Sequence, residues 1–519
     1  MIKDEYSSDL IGQREMRLDK LRILKEKGID PFPSKSFRTK KTKDIIDNFE
    51  NLNNLNSREI VAGRIKSIRT YGKLIFLDLH DYFGKIQIIV RANNYLLNVN
   101  QFSSKLKLEN LKFIEFVDLN LLDVGDFVEV GGMVTKSNTG EISIDADYIR
   151  ILTKSIRPIP DELEDVEERF RRRYVDMNVH PEIRKRFERR SIFWQATREF
   201  LNKNEFIEIN IPVLEHTTGG ADAKPFVTHY DSLDQDFYLR ISHELPLKRL
   251  LGAGFEKVYD IGPRFRNEGF SDEHLPEHIA MEWYWAYADY KDGMELTQNL
   301  FRYVLNEVYG KLEFELRGFK VNLESEWEEI DFVEIIKSKF NVDPLKDSEE
   351  KLLRVLADSQ KSLDIEVESL NRPRIIDMLW KLIRKEIIGP AFLVNIPKAL
   401  SPLAKSNIDR PDLVDRFHPI IAGTEMGNAF SELNDPIDQL ERFLEQQRMR
   451  DAGDEEAQML DIDFVEMLEY GMPPAVGYGH SERVFWIFEG VSAKEGVPFP
   501  HLKREITDLT KQIYSNIKF

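Results

Sequence analysis

The sequence predicts an α+β protein, a small five-stranded barrel followed by a larger antiparallel sheet flanked by helices. Three observations predict it. Five short strand patterns separated by turn residues fall between residues 59 and 153, with a helical stretch between the third and fourth. Lys257 to Tyr290, KVYDIGPRFRNEGFSDEHLPEHIAMEWYWAYADY, reads as strand, loop, strand. Glu182 to Lys203 carries Ile183, Phe187, Trp194 and Leu201 at helical spacing, so one face of a helix is apolar.

Length and composition bound the rest. A chain of 519 residues holds two to four domains with ample core. Hydrophobic content of 42% and charged content of 32% describe a soluble globular protein. No apolar run reaches the length of a membrane span, and MIKDEYSSDLIGQREMRLDK has no apolar signal core. The absence of cysteine excludes disulfides, thiol chemistry and thiolate metal sites. A cytoplasmic protein without a membrane partner is expected. The net charge of −18 argues against coating nucleic acid through a general basic field, so any RNA contact must be local.

Taken in order, residues 1–58 form a helical extension. Its amphipathic pattern runs from Met16 to Lys27 and stops at Gly28, before Pro31 and Pro33. The first 45 residues hold 12 Lys and Arg against 8 Asp and Glu. Two readings stand for this helix: docked on the next domain, or touching RNA.

Residues 59–153 give strands near Glu59–Thr70, Leu74–His80, Lys85–Arg91, Phe127–Lys136 and Glu141–Ile151. This spacing suggests an OB-fold barrel, which binds single-stranded nucleic acid by stacking bases on aromatic rings. Phe76 and Gln87 lie on neighbouring strands, and Glu141 opens the last. A ring, an amide and a carboxylate can together read exposed bases, although each also has an ordinary structural explanation. The proline-punctuated KSIRPIPD begins a linker over residues 154–180.

Residues 181–519 form the larger domain, with a helical insertion at about 310–400. In Lys257–Tyr290, alternation puts Tyr259, Ile261 and Phe265 on one face and Asp260, Arg264 and Arg266 on the other. Across the loop, Met281, Trp283, Trp285 and Tyr287 oppose Ala280, Glu282, Tyr284 and Ala286. Small alanines beside a carboxylate and a phenol form a pocket floor for something cationic or hydrogen-bonding. An arginine at a strand end, here Arg266, can clamp a phosphate with its planar fork. In Gly423–Asp435, Met426, Asn428, Phe430 and Glu432 share parity, Glu425 falls on the other, and Gly427 permits a bend. Asp435-Pro436 starts a helix expected to turn Ile437, Leu440, Phe443 and Leu444 inward. His274-Leu275-Pro276-Glu277-His278 matches a zinc-protease pattern, but Pro276 breaks the helix that pattern requires. Gly252-Ala253-Gly254 has no third glycine and no phosphate-loop lysine.

RFRNEG at 264–269, His274 to Glu277 and MEWYWAYADY at 281–290 resemble motif 2 of class II aminoacyl-tRNA synthetases, specifically the lysyl enzymes. Glu182–Lys203 with FIEINIPVLEH resembles motif 1, the dimer-interface helix and strand, with Asn210 where the family usually has threonine. Gly477 to Arg483 with its apolar run resembles motif 3. VAGRI, GKLIFLDLHD, GKIQIIV and TGEISI look like the family's anticodon-binding domain. The resemblance covers nearly the whole chain.

The resemblance implies a homodimeric lysine–tRNA ligase that joins L-lysine to ATP as lysyl-adenylate and then charges tRNA(Lys). It implies that Arg266 clamps the α-phosphate and the lysine carboxylate, that Glu268, His274 and His278 hold ATP, and that Arg483 holds the γ-phosphate. Gly220, Glu244, Glu282, Tyr284, Asn428, Phe430 and Glu432 would bind lysine. Glu425 and His418 would meet Mg²⁺. Arg69, Phe76, Gln87 and Glu141 would meet the anticodon. Four departures besides Asn210 accompany it. Leu275 replaces an asparagine of the ATP loop, and His278 replaces the phenylalanine that stacks on adenine. His418 stands where a carboxylate metal ligand is usual. His480 takes the place of the last motif 3 glycine.

Overall fold

The computed structural model describes residues 2–102, 111–269, 271–359, 370–454 and 457–518. The chain divides into two compact units, residues 1–180 with 501–519, and residues 181–500.

In the first unit, β1 (Arg58–Tyr71), β2 (Leu74–His80), β3 (Lys85–Arg91), β4 (Phe127–Lys136) and β5 (Ile142–Thr153) close a barrel in the order β1-β2-β3-β5-β4. Inward side chains such as Ile65, Leu77, Ile88, Val130 and Ile149 are fully buried. Each contributes about 1.5–3 kcal/mol by leaving water. Between β3 and β4 the described residues form short 3-10 turns at Val99–Phe102 and Phe116–Leu121, while 103–110 lie outside the described residues.

The N-terminal helix, Ile2–Glu26, docks on this barrel, and part of its positive charge is used there. Arg17 donates to the Ser155 and Val124 carbonyls at 3.1 and 3.0 Å. Lys20 pairs with Asp123 at 2.6 Å, and Lys27 with Asp118 at 2.9 Å. The C-terminal residues expected in the second domain belong to this unit instead. Arg171 donates to the Lys503 carbonyl at 2.7 Å, and the Arg14 and Arg157 guanidinium groups lie over the Tyr514 ring.

The second unit is built on a sheet with β6 (Ile207–Glu208), β7 (Lys257–Phe265), β8 (Glu277–Ala286), β9 (Glu328–Asp331), β10 (Ala391–Val394), β11 (Arg416–Ile421), β12 (Thr424–Glu425), β13 (Asn428–Ser431) and β14 (Ala475–Ser481). The strand order is β9-β10-β11-β13-β14-β8-β7-β6, with β12 paired to β11. The centre is antiparallel. The edge pairs β6–β7 and β9–β10 are parallel, so the sheet is mixed.

Strand parity sorts β7 and β8 between two cores. Tyr259, Ile261, Met281 and Trp283 pack under the helices Glu182–Lys203 and Tyr290–Tyr309. Val258, Tyr284 and Ala286 face the other layer, which includes the helices Glu244–Gly252 and Ile462–Tyr470. Asp289 opens the helix Tyr290–Tyr309 by accepting from the Lys291 and Asp292 N–H groups. Tyr287, expected to continue the apolar face of β8, lies beyond the strand with φ +64° and is exposed.

Two further expectations are corrected. Residues 310–400 are not purely helical. They hold a hairpin, Glu313–Leu316 with Phe319–Asn322, and they contribute β9 and β10 to the main sheet. In the helix Pro436–Asp451, Phe443 is buried but Ile437 and Leu444 point outward. Seven residues apart, those two share a stripe rotated away from the core. Gln439 and Arg442 take the buried side instead, where Arg442 is satisfied by Asp438 and the Ser401 and Ala404 carbonyls.

Candidate active site

The pocket-facing sides of β7, β8, β11, β13 and β14 line a cavity of about 310 Å³. Antiparallel register sets its floor: Glu282 opposes Gly479, Tyr284 opposes Gly477, and Asn428 opposes Gly479. A Cβ at Gly477 would collide with Glu432 Oε1 and the Tyr284 ring, and one at Gly479 would press on Glu282 Cγ. Both glycines therefore make room for the pocket's acidic and phenolic groups. His480, one residue on, faces the opposite side, buried beside Trp194 with ring centroids 6.0 Å apart. The departure at His480 thus lies on the core face and leaves the pocket face intact.

One end of the cavity is acidic. Glu282 is held in its charged form. Burial would raise its pKa, but with the buried His243 ring itself neutral at pH 7, Arg264 and hydrogen bonds from the His243 N–H and Ser242 lower it. Ser242 Oγ and the His243 N–H donate to Glu282 Oε1 at 2.9 and 3.1 Å, and Tyr284 donates to Oε2 at 3.0 Å. The Tyr284 oxygen keeps its lone pairs for a further donor. Glu432 is fully buried, and burial pushes its carboxyl well above the usual range against the pull of Lys248. Its Oε1 has no hydrogen-bond partner in the protein. Glu244 lies on the same wall at the start of its helix, beneath Gly220. Gly220 has φ +82°, and a Cβ there would approach Glu244 Cβ at 2.7 Å and Ser242 Oγ at 2.8 Å. A buried carboxyl group with a bare oxygen and a raised pKa is set to ionise when a cationic ligand enters.

The other end is cationic. Arg264, Arg266 and Arg483 line it with Glu268, Glu273 and His274. Burial and then Arg266 bring Arg264 down to about 9. Burial would raise Glu273, but Arg317, Arg483 and Arg384 hold it below its ordinary value. His274 is lowered by burial and Arg483, and its Nδ1 lies 2.8 Å from Ser271 Oγ. Several fixed arginines in a partly dry site suit a polyphosphate.

Glu425 and His418 lie beside the cationic group, where Arg483 donates to the Glu425 carbonyl at 2.7 Å. The Trp380 indole donates to Glu425 Oε1 at 2.6 Å, and Arg384 is 3.4 Å from the same atom. His418 Nδ1 stands 3.6 Å from Glu425 Oε2 and has no hydrogen-bond partner. Burial would raise Glu425, but His418, Arg384 and Trp380 keep it well below the carboxylate range. Burial and Arg416 lower His418 itself, so Arg384 and Trp380 carry that effect at neutral pH. No group of three or more potential metal ligands occurs among the described residues. Glu425 fits a Mg²⁺ that arrives on phosphates, since such ions need only one or two protein carboxylates. His418 offers nitrogen, which hard Mg²⁺ binds weakly.

Residues 165–503 match the family model for class II tRNA synthetases (D, K and N), and residues 60–152 match the OB-fold nucleic acid binding domain. The chain belongs to the class II tRNA synthetases. A protein named lysine–tRNA ligase from Fervidobacterium nodosum is 42% identical over 97% of this synthetase and 96% of its own length. Proteins of the same name from Thermosipho africanus and Pelotomaculum thermopropionicum are 42% and 41% identical, covering 94% and 96% of the synthetase and 95% and 99% of their own lengths.

Some residues of the synthetase's pocket were missed in the sequence. Lys248 contacts both Glu244 and Glu432 from behind the wall. Its signal was the four-residue helical spacing from Glu244. Arg416 donates to Asn428 Oδ1 at 2.8 Å, so it fixes that amide. It shares strand parity with His418. His278 is tied to Arg264, its register partner across β7 and β8. Arg264 Nε donates to His278 Nε2 at 2.8 Å, so the proton sits on Nδ1, which donates to the Leu275 carbonyl at 3.0 Å. The imidazole is neutral, its pKa pushed well below 6.5 by burial and by Arg264. Leu275 is buried in the core under the loop.

On the barrel, Arg69, Phe76 and Gln87 share strand parity through the β1–β2–β3 register, and Gln87 is buried against Glu141. Phe76 points outward and is partly exposed, packed edge-on against Tyr71 at 6.1 Å. Arg69 opposes Phe76 in register and pairs with Asp78 at 2.9 Å. Gln87 donates to Glu141 Oε2 at 2.9 Å and accepts from Ser143 at 3.1 Å.

Proposed function

We propose that this synthetase is a lysine–tRNA ligase. The observation that carries the reading is Glu432, a fully buried carboxylate with an unsatisfied Oε1 at the end of the cavity, beside Phe430 and Tyr284. A lysine side chain would lay its methylenes along Phe430 and its ε-ammonium on Glu432 and the Tyr284 oxygen. Glu244 and the Gly220 backbone would receive the α-ammonium. Glu282 would hold Tyr284 in place, and Asn428, fixed by Arg416, would border the stem.

Arg266 would then bind the lysine carboxylate and the α-phosphate together, bringing the attacking oxygen in line. Glu268, His274 and the His278 ring would hold the nucleoside end of ATP, and Arg483 the γ-phosphate. Positioning and charge neutralisation carry such a reaction, without a protein nucleophile. Mg²⁺, held through Glu425 with His418 nearby, would neutralise phosphate charge when bound. The barrel face with Arg69, Phe76, Gln87 and Glu141 would read the anticodon of tRNA(Lys). The protein would work in the cytoplasm. Among the described residues, no helix is long and apolar enough to cross a membrane.

Lysine-dependent pyrophosphate exchange, followed by charging of tRNA(Lys), tests this. Exchange without tRNA charging would point to a relative that lysylates another acceptor. No exchange with lysine would refute the reading. Motif 1 further supports a homodimer. Light scattering at micromolar concentration should give twice the 60.8 kDa chain mass, and a single monomeric species would contradict it.

A further inference from the structure

Lys248 lies one helical turn after Glu244, and its side chain is fully buried. Its ammonium is 2.5 Å from Glu244 Oε1 and also contacts Glu432 Oε2. The Phe430 and Phe464 rings lie 5.1 and 5.9 Å from it. Glu244, Glu432 and Phe430 line the cavity, and Lys248 sits behind them. It is a fixed charge in the wall that takes one oxygen from each of two acidic residues.

Two carboxylates that share one ammonium are held at one separation. Without the ammonium they would repel each other, and either side chain could swing toward a ligand or take up a proton. With it, both side chains are held in a set place on the cavity wall. Glu432 Oε1 has no donor. The aromatic rings stabilise the buried cation without supplying a competing acceptor.

Resting on the lysine reading of this pocket, we propose that Lys248 is a specificity-determining positioning residue. Its ammonium fixes the distance between the carboxylate for the α-ammonium and the carboxylate for the side-chain ammonium, and so measures the length of the amino acid. A diamino acid one methylene shorter, ornithine, cannot satisfy both carboxylates while Lys248 holds them. Once they are released, each side chain is free to follow the ammonium of a shorter ligand.

The test is pyrophosphate exchange with lysine and with ornithine. It compares the wild-type protein, Lys248→Met, Lys248→Gln and Lys248→Cys. Since the chain contains no cysteine, Lys248→Cys carries a single thiol. Alkylating it in the unfolded chain with bromoethylamine restores an ammonium at lysine's length, and iodoacetamide gives a neutral control. The wild type should prefer lysine by about 10–200-fold or more, the range one methylene commands. In the Met and Gln variants the KM for lysine should rise, the preference should fall below about tenfold, and the KM for ATP should hold. The aminoethyl form should recover the preference and the carbamidomethyl form should not. A Met variant as selective as the wild type, or equal recovery by both alkylated forms, would overturn the role of Lys248. The wild type supplies the measurement that survives a failure of every variant to fold: ornithine accepted within about threefold of lysine would overturn the ruler. A wild type inert with lysine would overturn the pocket reading itself.

Discussion

His418 and Glu425 lie 3.6 Å apart on the cavity wall, one imidazole and one carboxylate, with Arg384 and Arg416 adding positive charge around them. On the proposed reading, a divalent cation held there would depend on oxygens that the nucleotide brings. Replacing His418 with Glu supplies a second hard ligand. The Mg²⁺ concentration for half-maximal adenylation should fall, and an unchanged magnesium titration would show that position 418 does not touch the ion. His480 gives a pH prediction. Burial, and then Arg264, lower its pKa to about 3 from 6.5. As pH falls, the unfolded chain takes up a proton that the folded chain refuses, so stability is present above the unfolded value and lost below it. Between about pH 7 and pH 5 this one group should cost about 2 kcal/mol. His480→Phe should lose that much less over the same range in denaturant unfolding, and equal losses would contradict a neutral buried imidazole. Contacts of this kind were not legible in the sequence. Strand parity showed which face Arg264 and Glu432 take. Whether Arg264 meets His278 depends on register across a long loop, and whether Lys248 reaches Glu432 depends on how a helix lies over a sheet.

At the scale of elements, alternation in β8 carried most of the reading. Glu282 and Tyr284 on one side and Met281 and Trp283 on the other are what a strand between two layers requires. The five barrel strands and the helix Glu182–Lys203 were also plain, because turns and apolar period mark them locally. The stretch 310–400 was misread because strands of four residues leave too little pattern to separate from flanking helices. Ile437 and Leu444 were misread because buried arginine, satisfied by carbonyls far away in sequence, displaced the apolar stripe. The outer face of the barrel yields a prediction of its own. Phe76 is partly exposed beside Arg69 and the Gln87–Glu141 pair, so a base can stack there. Phe76→Ala should weaken tRNA charging by about 1–3 kcal/mol and leave pyrophosphate exchange intact. Equal damage to both activities would make Phe76 a structural residue.

Over the whole molecule the net charge is −18, yet the cavity gathers Arg264, Arg266 and Arg483 beside the buried carboxyl groups of Glu244, Glu282 and Glu432. This juxtaposition suits a ligand pair that carries both phosphates and an ammonium. Family membership and the barrel's match to a nucleic acid binding domain agree with it. On the proposed reading, Glu432 selects lysine. Glu432→Gln keeps the shape and removes the charge, so an entering ammonium would be buried against neutral acceptors. In pyrophosphate exchange with lysine, arginine and methionine, the variant should lose about 3–5 kcal/mol in kcat/KM for lysine while the KM for ATP changes little. Lysine activity retained within about threefold, under 1 kcal/mol, would contradict the account and place the substrate among other amino acids.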